Sequence, residues 1–316
     1  MFNEYDASSN NNLENLKALS KDNSLIFERR LLEIYELVNS ICLNIKKEYG
    51  EIPDVYELLS LISEEYNSAK YELHEEHLDD NTDMLERNIG LLDNSDKVLF
   101  CDLLINYSKN TDLPISEKSF IPIKSGGQTF TYVKNPIADE AYEVFTEALE
   151  DPKVFYSSGL KEAVLKVFSG EVDFCLLPLE EKGDRIHTVN QLILSYDLKI
   201  VDISPVFGPD GLADMKYAVV GKHMYLPSAG VDDDRYLEVR LPSQSDLTLG
   251  QIISAAELLS NSVYRINTET LRFENSDKNY YTVVFHDEGG GFARILTYLT
   301  LFTGEYIPVG IYKNLE

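Results

Sequence analysis

Behind the acidic triplet Asp232-Asp233-Asp234, apolar segments follow one another in an order that few folds accept. Residues 236–241 alternate as a strand, and 247–259 carry apolar side chains at helical spacing. Residues 263–273 and 280–286 read as two further strands, 292–302 as a second helix and 307–312 as a last strand. This βαββαβ order is ferredoxin-like and predicts a C-terminal unit over residues 231–316.

Upstream, strands and helices alternate. Strands are expected at 129–133, 154–156, 172–177 (ending at Pro178), 199–203 and 215–220. Helical patterns cover 137–149, 160–168 and 188–195. Short apolar strands interleaved with helices imply a parallel α/β layer, a single lobe over residues 119–230. Further upstream the period is helical throughout: Leu25, Leu31, Ile34, Val38, Ile41 and Ile45 form one stripe, and Leu58, Leu61, Ile62 and Ala69 a second. Residues 98–105 suit a shorter final helix. A helical domain is therefore expected over 24–115, preceded by a frayed polar terminus at 1–23 containing Ser8-Ser9-Asn10-Asn11-Asn12. The Ser/Pro/Gly/Lys-rich stretch 108–127 reads as the linker.

Composition narrows the partners. With 44% hydrophobic residues the chain can fill real cores. Its 54 acidic against 28 basic side chains give a net charge of −26, which repels phosphate backbones and anionic lipid. No nucleic-acid or membrane partner is expected. No segment approaches the roughly 20 apolar residues of a membrane helix, and the polar start is no signal peptide. Cys42, Cys101 and Cys175 lie far apart with no CxxC, and read as buried thiols of a cytoplasmic protein.

The two C-terminal patterns together resemble the bacterial prephenate dehydratases that carry an ACT regulatory domain. The densest likeness is residues 157–180, where Ser169-Gly170-Glu171-Val172-Asp173 looks like the family's Gly-Glu-Ala-Asp turn. Cys175-Leu176-Leu177-Pro178-Leu179-Glu180 looks like its strand ending Val-Pro-Ile-Glu-Asn-Ser. Residues 188–194 look like the following Thr-Leu-Asp-Leu-Leu helix, and Val309-Gly310-Ile311-Tyr312 like the Leu-Gly-Ser-Tyr ending of the ACT unit. The resemblance covers residues 128–316. It implies one periplasmic-binding-protein-like α/β lobe followed by an ACT-like domain, and a link to phenylalanine biosynthesis.

The chemistry-bearing positions differ from that family. Its Thr-Arg-Phe motif, which supplies an acid and an anion contact, becomes Met215-Lys216-Tyr217. Met215 has no proton to give, and Lys216 replaces a forked guanidinium with a point charge. Glu-Asn-Ser becomes Glu180-Glu181-Lys182, which places an extra carboxylate where a dianion would sit. The opening glycine loop becomes Lys134-Asn135-Pro136. A two-lobed dehydratase region needs roughly 180 residues before its ACT unit, and about 105 lie between Gln128 and Asp232. These features read as a disabled site, with no catalytic residue assigned.

In the ACT-like unit the resemblance places a ligand seam between Asp246-Leu247-Thr248 and Asn267-Thr268-Glu269 of a neighbouring copy, with Glu269 where the family has arginine. Such a seam offers hydroxyls, amides and one carboxylate, so Glu269 is expected to prefer an ammonium group. Other constellations have plainer readings. His74-Glu75-Glu76-His77 has its histidines three apart, where a zincin needs four, and reads as a solvated acidic face. Gly289-Gly290-Gly291 could offer N–H groups to an anion but reads as a flexible turn. Arg185 and His187 lie beside the Glu180-Glu181-Lys182 turn, where a residual pocket could persist; a surface arginine and a helix-start histidine explain them equally well. No metal or other cofactor is expected.

Three functional classes follow. The first is a catalytically degenerate dehydratase-like protein that senses a small ligand of the amino-acid kind, as a homodimer. The second is an active prephenate dehydratase. The third adds a chorismate mutase-like N-terminal domain, for which Arg29, Arg30, Lys46 and Lys47 supply cations without a recognisable spacing.

Overall fold

The protein is described by a computed structural model over residues 94–108, 115–117, 120–122, 126–207, 215–227, 234–245, 247–273, 276–303 and 305–313. Single helical positions at Asn44, Lys47, Leu59, Leu61 and Glu64 are also described. The expectations for the polar terminus, Cys42, His74 to His77 and the mutase-like cations Arg29, Arg30 and Lys46 lie outside these residues. Lys47 is an exposed helical residue.

Helix α1 spans Asn94–Ser108, and the short strand β1, Ile121–Pro122, pairs in parallel with β8, Tyr225–Leu226. The α/β layer then runs β2 (Thr129–Tyr132), α2 (Pro136–Thr146), β3 (Lys153–Tyr156), α3 (Leu160–Phe168), β4 (Phe174–Glu181), β5 (Asp184–Arg185), α4 (His187–Ser195), β6 (Lys199–Val206) and β7 (Met215–Gly221). The C-terminal unit follows as β9 (Arg235–Pro242), α5 (Leu249–Leu258), β10 (Asn261–Phe273), β11 (Ser276–Asp287), α6 (Phe292–Phe302) and β12 (Ile307–Lys313). Its βαββαβ order is the expected one, and its strands lie in the sequence β10-β11-β9-β12, all antiparallel. Each helix thus connects two parallel strands with a third strand between them, the ferredoxin-like arrangement.

Helix starts have local causes. Asn135 caps α2 by accepting from the Ala138 N–H at 2.9 Å, with Pro136 at the first helical position. Thr248 and Gln251 form a capping box at α5.

One sheet of ten strands crosses the whole described molecule in the order β3-β2-β4-β7-β6-β12-β9-β11-β10, with β5 paired to β4. The parallel layer expected from the sequence is corrected in part. Strand β2 runs parallel to β3 and β4, but β7 is antiparallel to both β4 and β6. No helix separates β6 from β7 in the sequence pattern, and strands joined without a crossover return antiparallel. Strand β4 also continues three residues past Pro178, because a register shift between Pro178 and Glu180 accommodates the missing N–H.

The two parts of the sheet meet where β12 lies parallel to β6, with Gly310 opposite Ile200. A Cβ on Gly310 would stand 2.0 Å from the Ile200 carbonyl oxygen, so only glycine permits this approach. Three cores flank the sheet. Helix α2 covers Phe130, Leu176, Val201 and Val219 on one face. Helices α3 and α4 cover the other, where Cys175, Ile200 and Val220 of the layer join Tyr236, Val284 and Tyr312 of the C-terminal unit in one cluster. Helices α1, α5 and α6 pack with Leu59 over Leu237, Val239 and Phe285. Cys101 and Cys175 are free and fully buried, and burial holds both thiols protonated. No helix among the described residues is long and apolar enough to cross a membrane.

Candidate functional site

The alternation of β9 divides its side chains by character. Leu237, Val239 and Leu241 face the helices α5 and α6, so Glu238 and Arg240 are carried to the opposite face. That face is not open to water: Glu238 is 1% and Arg240 2% exposed. The β4–β5 hairpin and helix α4 cover it.

The hairpin turns on Lys182 and Gly183, whose φ angles of 52° and 86° are the two left-handed central residues of a tight hairpin loop. The turn places Arg185 opposite Glu180. Arg185 Nε donates to Glu180 Oε1 at 2.9 Å, and its Nη2 donates to Glu238 Oε2 at 2.6 Å. The Tyr312 hydroxyl donates to the same Glu238 oxygen at 2.7 Å. Alongside, Arg240 Nε donates to Glu269 Oε1 at 2.6 Å, and Asn190 Nδ2 to Glu269 Oε2 at 2.8 Å. The Thr282 hydroxyl also donates to Glu269, and Arg240 Nη2 to the Asn190 side-chain oxygen Oδ1. Arg265 on β10 completes the group, its Nη2 lying 3.9 Å from Glu180 Oε1.

These groups surround a cavity of about 410 Å³. Apart from Gly183, every residue lining it carries a polar or charged side chain. Two donors of its lining residues, Arg185 Nη1 and Arg265 Nε, are buried without a hydrogen-bond partner. Burial opposes the charge on both members of the Arg185–Glu238 pair, and their mutual attraction outweighs it. The Arg185 guanidinium is therefore held above its ordinary range by Glu238, the Tyr312 phenol and Glu180, and Glu238 is held below its own by Arg185 and Arg240. Burial first, then the Glu238 charge, push the Tyr312 phenol well up, so it stays a donor.

The candidate residues from the sequence divide clearly. Glu180, Asn267, Thr268 and Glu269 line the one cavity, although they were expected at two separate sites. Glu269 is committed to an arginine, an amide and a hydroxyl, so within this chain it holds its neighbours in place. Glu181 and Lys182 are exposed on the hairpin turn. Met215 packs beside the α2 core and Tyr217 is buried in it, while Lys216 stands in register with Glu180. Leu247 is core on the helix-bearing face and Thr248 is the α5 cap, so neither reaches the cavity; Asp246 lies outside the described residues. His187 is exposed at the start of α4.

Glu238, Arg240, Arg265 and Asn190 were not singled out. In sequence they look like the wet side of amphipathic elements, because the groups they meet lie some 50 to 85 residues away. The Gly289-Gly290-Gly291 turn does bind carboxylates, but from its own chain. Asp287 accepts from the N–H groups of Gly289 and Gly291, each at 2.9 Å, and Glu117 accepts from Phe292 at 3.1 Å.

Fold and cavity together define a mixed α/β protein with a partly open polar site at the junction of its two parts. No family model matches the chain, and no curated protein matches it. Among solved structures it is similar to prephenate dehydratase from Streptococcus mutans (12% identity, TM-score 0.45), over 59% of this chain and 98% of that one. It is also similar to prephenate dehydratase from Arthrobacter aurescens in complex with L-Phe (12% identity, TM-score 0.39, 59% of this chain and 90% of that one). A third similar structure is GqqA, described as a novel type of quorum quenching acylase (16% identity, TM-score 0.42, 59% of this chain and 95% of that one).

Proposed function

We propose that this chain is a catalytically degenerate, prephenate dehydratase-like protein whose cavity senses a small ligand of the amino-acid kind, its C-terminal unit serving as an ACT-like regulatory module. The observation that carries the reading is the partly open polar cavity, built from both parts of the chain and lined by two arginines that each keep a buried donor unpaired. A ligand there would touch the β4–β5 hairpin, helix α4 and strands β9 and β10 at once, coupling the two parts. Support for catalytic degeneracy comes from β7, where Met215 replaces an acid and Tyr217 is spent on core packing.

The test is direct: pure protein is incubated with prephenate and phenylpyruvate is followed. No turnover is expected. Turnover that Lys216→Ala abolishes would establish the enzyme reading instead. We further propose a homodimer, supported by β10, which pairs only with β11 among the described strands and exposes Tyr264 and Ile266. Light scattering that gives a monomer at micromolar concentration would contradict it.

A further inference from the structure

We infer that the junction cavity selects a short polar carboxylate, such as a dicarboxylate or a small polar amino acid, and rejects an aromatic one. The inference rests on the ligand-sensing reading above and gives the ligand its chemistry.

Three of the cavity's four carboxylates, Glu180, Glu238 and Glu269, are already engaged, and the fourth, Asp184, is exposed on the hairpin. Glu269 accepts from Arg240, Asn190 and Thr282, and Glu238 from Arg185 and Tyr312. What is left unspent among the buried groups is donor capacity, at Arg185 Nη1 and Arg265 Nε. Buried guanidinium N–H groups without a partner are costly, and an incoming anionic oxygen relieves both. The two guanidiniums already converge on one acceptor, Glu180 Oε1, at 2.9 Å from Arg185 Nε and 3.9 Å from Arg265 Nη2. A ligand carboxylate can bridge the same two heads once Arg265 shifts to open their buried, unpaired edges. Arg265 is the adaptable member, with a side chain 38% exposed and a long ion pair to Glu180.

The remaining walls set the rest of the ligand. The exposed amide of Asn267 and hydroxyl of Thr268 on β10 offer hydrogen bonds to a second polar end. An aromatic ring would meet no aliphatic or aromatic side chain among the lining residues, so its burial would displace water from charged groups without an apolar partner.

The experiment is isothermal titration of the full chain with succinate, L-phenylalanine and phenylpyruvate, repeated with Arg265→Gln. That variant removes a half-exposed cation and leaves the Arg185–Glu238 pair intact, so folding is preserved and is checked by its melting midpoint. Succinate is expected to bind the natural chain and to lose at least tenfold in affinity in Arg265→Gln, while the two aromatic probes give no heat. Succinate binding that ignores the substitution would overturn the placement. Binding of L-phenylalanine or phenylpyruvate unaffected by Arg265→Gln would overturn the selectivity while leaving ligand sensing standing. Silence from all three probes would remove both.

Discussion

Arg185 and Glu238 are 53 residues apart in sequence, and their 2.6 Å hydrogen bond fastens the β4–β5 hairpin to the middle of β9. Both come from segments that look solvent-facing when read singly. Together they form a largely buried pair, with Tyr312 donating to Glu238 and Glu180 accepting from Arg185. Removing one partner strands the other charge. Arg185→Ala is expected to cost about 3–5 kcal/mol in urea unfolding, and the double Arg185→Leu, Glu238→Leu variant to recover most of it. Equal losses in the single and double variants would show that the pair is not the cause.

The same pair predicts an acid limit. The folded pKa of Glu238 lies below its unfolded value of about 4.3. Stability from this group is therefore complete above that unfolded value and is lost as pH falls through the folded one. The melting midpoint should drop as pH is lowered below about 4, and Glu238→Gln should flatten that drop while lowering the midpoint at neutral pH. An unchanged acid slope in the variant would assign the effect to other carboxylates.

His286 acts in the opposite sense. Burial lowers its pKa, but Glu288 and Asp234, hydrogen-bonded to its two ring nitrogens, bring the net shift upward. Its contribution is complete below about pH 6.5 and is lost as pH rises through the folded value. Histidine NMR titration should give a pKa above that of the unfolded chain, and Glu288→Gln should lower it.

Gly310 carries the join between the two parts of the sheet. Gly310→Ala puts a methyl group against the Ile200 carbonyl, and backbone on both sides leaves no side chain to move away. The expected result is a loss beyond the ~1–3 kcal/mol of ordinary overpacking. A melting midpoint within a degree of the natural protein would mean that β12 and β6 do not approach this closely.

Glu117 reaches α6 from far along the chain, accepting from Phe292 N–H and from Arg235 at 3.0 Å. Glu117→Ala should cost about 1 kcal/mol through the lost cap and dipole contact. Glu117→Gln should lose less, because an amide oxygen still accepts the N–H.

Element identity was legible because period, caps and turn residues agree locally. Residues 160–168 and 292–302 are helices with the expected bounds, and Asn135-Pro136 announces α2. Strand direction was less legible, since β7 takes its sense from the missing crossover before it. The site was legible only in fragments. Glu180 and Glu269 each stood out, but nothing local joins a hairpin at 180–185 to strands at 238–240 and 265–269. Arg240 alternates with leucine and valine like any exposed strand residue, and its burial is decided by Asn190 and the hairpin packed above it.

The most direct measurement is a crystal structure of the full chain grown with succinate. The account expects a carboxylate between Arg185 Nη1 and Arg265 Nε, with Glu269 still held by Arg240, Asn190 and Thr282. Succinate bound elsewhere, or a junction filled by Arg265 folding onto Glu180 with no ligand, would contradict it.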